Sequence, residues 1–554
     1  MGVYVNSPAA CTLYRNEVSR PYFVDKTQML QELFPLVTEG GNYICITRPR
    51  RFGKTVMANM ISSFFSKGQD MGDIFGRLVI SGADGFRNFL NRYFVIHICL
   101  NELPRRCGSY EQYISRIEKK LLRDLKQEFP DVPVCEDDAV WDVLTEIYTG
   151  IPDARFIFVL DEWDFIFHRD FVTDEDKKLY LAFLSSLLKD KPYVLLAYMT
   201  GILPIAKYSS GSELNMFLEY TMASEERFST CFGFTEAETD GIYGKYLERS
   251  QHPAVTRDGL REWYNGYQTC VGERVYNPRS VTGALVNNQL GNYWTSSGPY
   301  DEIFYYVQNN IADVREDLVR MVSGEAVRAQ VREYAAVSMN LKTKNEIFSA
   351  MVVYGFLSCR NGRVFIPNQE LMGQFADMLQ KESALGYVYR LAKESSRMLQ
   401  ATLAGDTETM EKILEYVHHT EIPLLHYNSE TELAGMVNLI YLAARGSYRV
   451  EREDKAGTGY VDFIFYPATD RSADCLILEL KVNATPKEAI RQIKDRRYAL
   501  RFAGKLGEER RYAGRVLAVG ISYDRASKKH KCEVEVLLPA GKCQNYITVN
   551  AEKA

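Results

Sequence analysis

No segment constrains the fold of this chain as tightly as Tyr43-Ile-Cys-Ile-Thr-Arg-Pro-Arg-Arg-Phe-Gly-Lys-Thr55. An apolar run with strand character ends at Thr47, a polar loop follows, and Gly53-Lys54-Thr55 opens a helix. Beyond it, the apolar pairs Val56-Met57, Met60-Ile61 and Phe64-Phe65 recur every four residues, so one helical face must pack on a sheet. Three further nearly continuous apolar runs, Tyr93–Leu100, Phe156–Leu160 and Tyr193–Thr200, read as strands covered on both faces. Helical stretches such as Tyr110–Glu128 lie between them. This alternation predicts an α/β domain on a parallel sheet.

The loop has a chemistry of its own. A helix that begins at Gly53-Lys54-Thr55 turns backbone N–H groups and its positive dipole end toward an anion. Lys54 can reach the β- and γ-phosphates of a nucleotide and Thr55 can ligate Mg²⁺. Arg50, Arg51, Phe52 and Gly53 complete the candidate cradle for ATP. The usual pattern places a glycine five residues before Gly53, and here that position holds Arg48. The strand Arg155-Phe-Ile-Phe-Val-Leu160 ends in Asp161-Glu162, where an aspartate can hold Mg²⁺ and the adjacent glutamate can activate water. Thr200, at the end of the next strand, either positions water near the γ-phosphate or caps the following turn.

A chain of 554 residues exceeds one core, and the sequence divides into an α/β domain over 1–245, a mostly helical lid and connector over 246–425, and a mixed α/β domain over 426–554. Helices are expected at Met321–Met339, Ile347–Gly355 and Arg397–His419, with a β-like break at Arg363–Ile366. The net charge of −5 excludes global attraction to nucleic acid, so any such partner must be met by a local basic patch. The 11 cysteines form no CxxC pair and several sit in apolar runs, as reduced core residues do. The opening residues lack a signal-peptide pattern and no apolar run reaches ~18 residues, so a cytoplasmic location with no membrane partner is expected.

The last part carries a second constellation. Gly459-Tyr-Val-Asp462-Phe-Ile-Phe and Cys475-Leu-Ile-Leu-Glu479-Leu-Lys481 read as strands, and alternation puts Glu479 and Lys481 on one face. If the strands form a hairpin, Asp462 approaches Glu479, giving two oxygen ligands for Mg²⁺ or Mn²⁺ beside a lysine. Upstream, Glu430 or Glu432 is a further candidate ligand. A long basic helix, Pro486–Ala503, carries Gln492, Arg491 and Arg497, which can contact nucleic-acid phosphates.

The segment Arg48-Pro-Arg-Arg-Phe-Gly-Lys-Thr55, with Asp161-Glu-Trp-Asp164 and Thr200-Gly-Ile202, resembles a bacterial family of AAA-type ATPases that uses this arginine-rich loop. Tyr22-Phe-Val-Asp-Lys-Thr27, Phe234-Thr-Glu-Ala-Glu238, Trp263-Tyr-Asn-Gly-Tyr267 and Tyr276-Asn-Pro278 also match. The resemblance implies an AAA-like core with Lys54, Thr55 and Asp161 on nucleotide and magnesium and Glu162 as base. Asp462, Glu479 and Lys481, with Gln492 on the following helix, resemble the core motif of the PD-(D/E)xK nuclease superfamily. That likeness implies a restriction-endonuclease-like fold and Asp462, Glu479 and Lys481 as catalytic residues.

Two functions follow as expectations. One is a P-loop ATPase coupled to a Mg²⁺- or Mn²⁺-dependent nuclease acting on DNA in preference to RNA. The other is a nucleotide-switched module that binds nucleic acid or protein through an inert nuclease fold. A homo-oligomer is open in either case, since AAA-type ATPases often form rings.

Overall fold

The computed structural model describes residues 2–39, 42–133, 135, 137–205, 213–222, 226–294, 312–322, 324–331, 343–381, 387–420, 430–456, 459–468, 470, 472–502 and 512–538, not every side chain included. The chain forms two compact units. The first comprises Met1–Pro299 and Arg328–Pro367, the second Tyr300–Val327 and Asn368–Ala554. The stretch 246–425, which the sequence marks as a helical connector, is therefore divided between the two.

The first unit is organised by five parallel strands: β1 (Tyr43–Thr47), β2 (Phe94–Cys99), β3 (Phe156–Asp161), β4 (Val194–Gly201) and β5 (Leu218–Tyr220), in the order β2-β3-β4-β1-β5. Strand alternation sorts the side chains onto two faces. Ile44, Ile46, Ile157, Val159, Leu196 and Tyr198 pack with Met57, Ile61 and Phe64 of helix α1 (Lys54–Phe65). Cys45, Ile96, Ile98, Phe156, Phe158 and Leu160 pack with Tyr113 and Leu121 of helix α2 (Tyr110–Glu128) and with Leu184 of helix α3 (Asp174–Leu188). The four strands expected from the sequence are present within a residue of their predicted ends. The fifth, β5, is too short and too polar to be read in advance.

Registers align the functional ends of the strands. Ile46 pairs with Thr200, and Thr200 pairs with Asp161, so the C-terminal ends of β1, β4 and β3 lie side by side. The strand β4 separates the loop that follows β1 from the carboxylates that follow β3.

The second unit holds a five-stranded sheet of β6 (Tyr448–Ala456), β7 (Gly459–Pro467), β8 (Cys475–Val482), β9 (Val516–Asp524) and β10 (Lys529–Leu538), paired in chain order. Only β8 and β9 run parallel, linked by helix α5 (Pro486–Asp495). Leu476, Leu478 and Leu480 face Leu433 and Val437 of helix α4 (Glu430–Ile440), whereas Ile477 shares its cluster with Ile490 and Ile493 of α5.

Several helices depart from expectation. The helix predicted over Met321–Met339 ends at Val322, and residues 327–328 are extended; positions 332–339 lie outside the described residues. The predicted Arg397–His419 helix is two, Tyr387–Ala404 and Thr407–Thr420, interrupted at Gly405, whose φ is +73°. The basic helix stops at Asp495 instead of Ala503, because Arg497 adopts φ +55°, which a right-handed helix cannot contain. The strand β10, rich in Lys and Glu, has no counterpart among the predicted strands. No helix among the described residues is long and apolar enough to cross a membrane, and no disulfide is formed among them.

Candidate active sites

The loop between β1 and α1 is held from inside by the residue that replaces the usual glycine. Arg48 is 1% exposed, and its guanidinium donates to the carbonyls of Thr47 and Tyr220 at 2.8 Å and of Phe228 at 3.0 Å. It also stacks on the Phe232 ring. Burial lowers its pKa to about 10, so it remains charged at neutral pH. A side chain thus fastens the loop to β5 and the segment after it, in place of the close backbone turn that glycine would allow.

Lys54 is buried and donates to the carbonyls of Arg48 and Pro49, both at 3.1 Å. Burial lowers its pKa, against the fields of Glu162, Asp164 and Asp161. Asp161 is wholly buried, and neither carboxylate oxygen has a hydrogen-bond partner of ordinary geometry among the described residues. Burial and the neighbouring Glu162 push its pKa up to about 7, while the Thr55 hydroxyl and Lys54 pull against them. An orphaned buried carboxylate beside the Thr55 hydroxyl fits a hard divalent cation, and these two residues would hold it. Glu162 adopts a left-handed backbone, φ +57°, at the turn directly after β3.

Other expected contacts have different placements. Thr200 donates its hydroxyl to the Ile46 carbonyl at 2.9 Å, which ties β4 to β1. Phe52 is 1% exposed and packs edge-on against Tyr267, 4.9 Å between ring centres, so it anchors the loop by its ring. Arg50 and Arg51 flank the loop, and the Arg50 carbonyl accepts from the Trp294 indole at 3.1 Å. Burial together with the charges of Arg279 and Arg50 lowers the pKa of Arg51. Arg279 escapes sequence reasoning, although it directly follows the Tyr276-Asn-Pro278 motif.

Asp164 belongs to a motif without a role that the sequence reveals. It is buried, and it accepts from the backbone N–H groups of Ile202 and Leu203 at 3.1 and 2.9 Å. The Trp163 indole donates to the Leu203 carbonyl at 3.1 Å. Together they lock the end of β3 to the turn after β4. A Cβ at Gly201 would lie 2.5 Å from the Asp164 carboxylate, which explains the glycine there. The remaining motifs are clamps. Lys26 pairs with Glu238 at 2.7 Å, and Glu236 gathers Arg257, Arg261, Asn265 and Tyr276 around one carboxylate. These contacts brace the elements of the first unit against one another.

In the second unit the expected hairpin of β7 and β8 forms, with Phe463 opposite Leu478. One step further along that register Asp462 faces Glu479, and Asp462 accepts from the Leu480 N–H at 2.8 Å. Glu479 is 3% exposed. One of its oxygens accepts from Lys481 Nζ at 3.3 Å and from the Gln492 amide, and the other has no described partner. Burial and Asp462 raise its pKa to about 7. The orphaned oxygen next to Asp462 fits a divalent cation, with Asp462 and Glu479 as its holders. Gln492, expected on a nucleic-acid face, donates its amide to Glu479 and so orients that carboxylate. Arg491 and Arg497 are exposed. The side chains of Glu430 and Glu432 lie outside the described residues. No group of three metal-ligating side chains occurs among the described residues.

The first unit is therefore a P-loop ATPase-like domain and the second contains a nuclease-like domain. Residues 16–210 match the family described as "Predicted AAA-ATPase", and residues 429–530 match the PD-(D/E)XK nuclease superfamily. A curated relative from Azotobacter chroococcum mcd 1, titled "Uncharacterized protein in vnfD 5'region", is 26% identical over 285 residues, 50% of this chain and 51% of its own. The chain thus spans about half the length of that relative. Among solved structures, the Walker-type ATPase of Pyrococcus abyssi covers 63% of this chain and 94% of its own at 12% identity and a TM-score of 0.37. The ORC2 protein of Aeropyrum pernix covers 64% of this chain and 93% of its own at 10% identity and a TM-score of 0.32. Both scores fall below 0.5, so the assignment rests on sheet order, site geometry and the two family matches.

Proposed function

We propose that this chain binds and hydrolyses ATP and that its nucleotide state governs a metal-dependent nuclease acting on DNA. The observation that carries the reading recurs in both units: a buried carboxylate oxygen without a described partner lies in the field of a lysine. Asp161 has Lys54, and Glu479 has Lys481.

In the first unit Lys54 exchanges the Arg48 and Pro49 carbonyls for nucleotide phosphates, and the N-terminus of α1 adds its amides. Thr55 and Asp161 hold magnesium, and Glu162 takes the proton of the attacking water. Arg50 and Arg51 offset negative charge at the loop. In the second unit Asp462 and Glu479 hold the cation and Gln492 fixes the Glu479 rotamer. Lys481 faces the scissile phosphate and offsets its developing charge. Bound at either site, a divalent cation supplies Lewis-acid polarisation of a phosphoryl oxygen and acidifies water. Arg491 and Arg497 contact the DNA backbone.

The test is cleavage of single- and double-stranded DNA and RNA with Mg²⁺ or Mn²⁺, with and without ATP. Lys481→Ala is expected to abolish cutting and Lys54→Ala to remove only its dependence on ATP. Cleavage by an Asp462→Ala/Lys481→Ala double variant equal to wild type would end the reading. Tight ATP binding with no cutting would favour the nucleotide-switched binding module.

A further inference from the structure

The first unit carries a positive groove remote in sequence from both sites. Strands Ser358–Arg360 and Arg363–Phe365 form an antiparallel hairpin in which Arg360 is directly paired with Arg363. The two residues between them, Asn361 and Gly362, have φ of +50° and +70°, the conformation of a tight two-residue turn. Such a turn fixes the register, so the two guanidinium groups emerge from one face of the hairpin. Like charges placed directly across a ladder repel and destabilise it. Both arginines are exposed, and neither has an ion-pair partner among the described residues.

The neighbouring segment adds to this charge. The Ala329 N–H donates to the Gly362 carbonyl at 3.1 Å, which places Arg328 beside the hairpin. The Gln330 N–H donates to the Asn345 side chain at 3.1 Å, which closes the segment against the helix Lys344–Tyr354. A groove of about 900 Å³ lies between these elements. Among the described residues, Arg328, Lys344 and Arg363 line it, together with the amide side chains of Gln330, Asn345 and Asn361, and no aspartate or glutamate does. The nearby Glu346 carboxylate is turned to the Thr343 N–H, 2.8 Å away, as part of the helix cap. In a chain with an excess of acidic residues, a groove whose described lining holds three cations and no acid, beside a self-repelling arginine pair, is a local inversion of charge.

We infer that this groove binds the phosphate backbone of a nucleic acid. Guanidinium groups suit phosphate because their planar N–H donors match two oxygens at once, and the amides add uncharged donors. Two arginines at a fixed cross-strand spacing suit successive phosphates of one strand. The contact carries no base recognition, so it positions a strand irrespective of sequence. Nucleic acid is the partner here as in the proposed function, and to that extent the groove rests on that reading. Its residues are different from those of the metal site, however, and binding tests it instead of cleavage.

The experiment is fluorescence anisotropy of a labelled DNA duplex and single strand with the full chain over a series of salt concentrations. Wild type is compared with Arg328→Ala/Arg360→Ala/Arg363→Ala and with Arg360→Lys/Arg363→Lys. The alanine variant is expected to bind about 10-fold or more weakly, with the log–log salt slope reduced by roughly one for each phosphate it no longer neutralises. The lysine variant should retain the slope, and the thermal midpoint of the alanine variant should equal or exceed that of wild type. Equal affinity and slope for wild type and the alanine variant would overturn the inference while leaving the cleavage reading intact. Displacement of the labelled DNA by inorganic phosphate at equal phosphate concentration would assign the groove to small anions and overturn it as well. Absence of nucleic-acid binding by wild type would overturn it outright.

Discussion

The ammonium of Lys54 lies 3.1 Å from the carbonyl oxygen of Arg48, so the phosphate loop is closed on its own lysine. Nucleotide must displace that contact, and the lysine then exchanges two carbonyls for phosphate oxygens. Lys54→Ala should weaken the binding of a fluorescent ATP analogue by about 10-fold or more, consistent with the loss of a charge-assisted contact of about 1.5–3 kcal/mol. Thermal stability without nucleotide should fall as well, because the buried carbonyls of Arg48 and Pro49 lose their donor. Unchanged affinity would show that the loop binds without its lysine.

Arg48 gives a second prediction that runs against the usual pattern. Restoring glycine with Arg48→Gly removes three hydrogen bonds from buried carbonyls of Thr47, Tyr220 and Phe228. Unpaired carbonyls in a low-dielectric interior are costly, and a loss of about 3 kcal/mol or more is expected. Urea denaturation checks it. Stability equal to wild type would mean that glycine recovers the ordinary loop unaided.

Asp161 sets a pH dependence whose sign follows from its raised pKa. In the fold it keeps its proton to about pH 7, whereas an unfolded aspartate releases it near 3.9. Between these values the folded state binds more protons, so this group makes stability fall as pH rises. The slope amounts to at most about 1.4 kcal/mol per pH unit. Asp161→Asn removes it. Without metal or nucleotide, thermal midpoints should diverge with rising pH, the variant being the more stable at pH 7.5, and the difference should level off below about pH 4. Parallel profiles would contradict the placement.

Gln492 acts through Glu479, and its replacement should report on the metal. Gln492→Leu is expected to lower metal affinity by about 10- to 100-fold, as loss of a group that orients a ligand does. Titration of Mn²⁺ by calorimetry reads this directly. Gln492→Glu should not rescue it, because a second carboxylate would repel Glu479. Wild-type affinity in the leucine variant would return Gln492 to a nucleic-acid role.

Much of this is legible in the residues because burial on both faces demands continuous apolar strands. The runs ending at Thr47, Asp161 and Thr200 are of that kind, and their polar ends fall where helices or turns must begin. Asp462 and Glu479 are legible for a different reason: a hairpin with period two leaves few ways to pair them. The role of Arg48 is not legible, since its partners at Tyr220 and Phe228 are carbonyls more than 170 residues away in the chain and backbone groups leave no sequence signature. For the same reason the backbone partners of Thr200 and Asp164, which brace neighbouring strand ends, are not legible either. The helix breaks at Gly405 and Arg497 depend on left-handed backbone, which glycine announces and arginine does not.

The inward anchor of Arg48 has one more consequence. Because its guanidinium joins the loop to the carbonyl of Tyr220, the edge strand and the loop share a single brace. They should lose amide-hydrogen protection as one cooperative unit, and nucleotide should slow exchange at Leu218–Tyr220 as much as at Gly53–Thr55, although no phosphate need touch that edge.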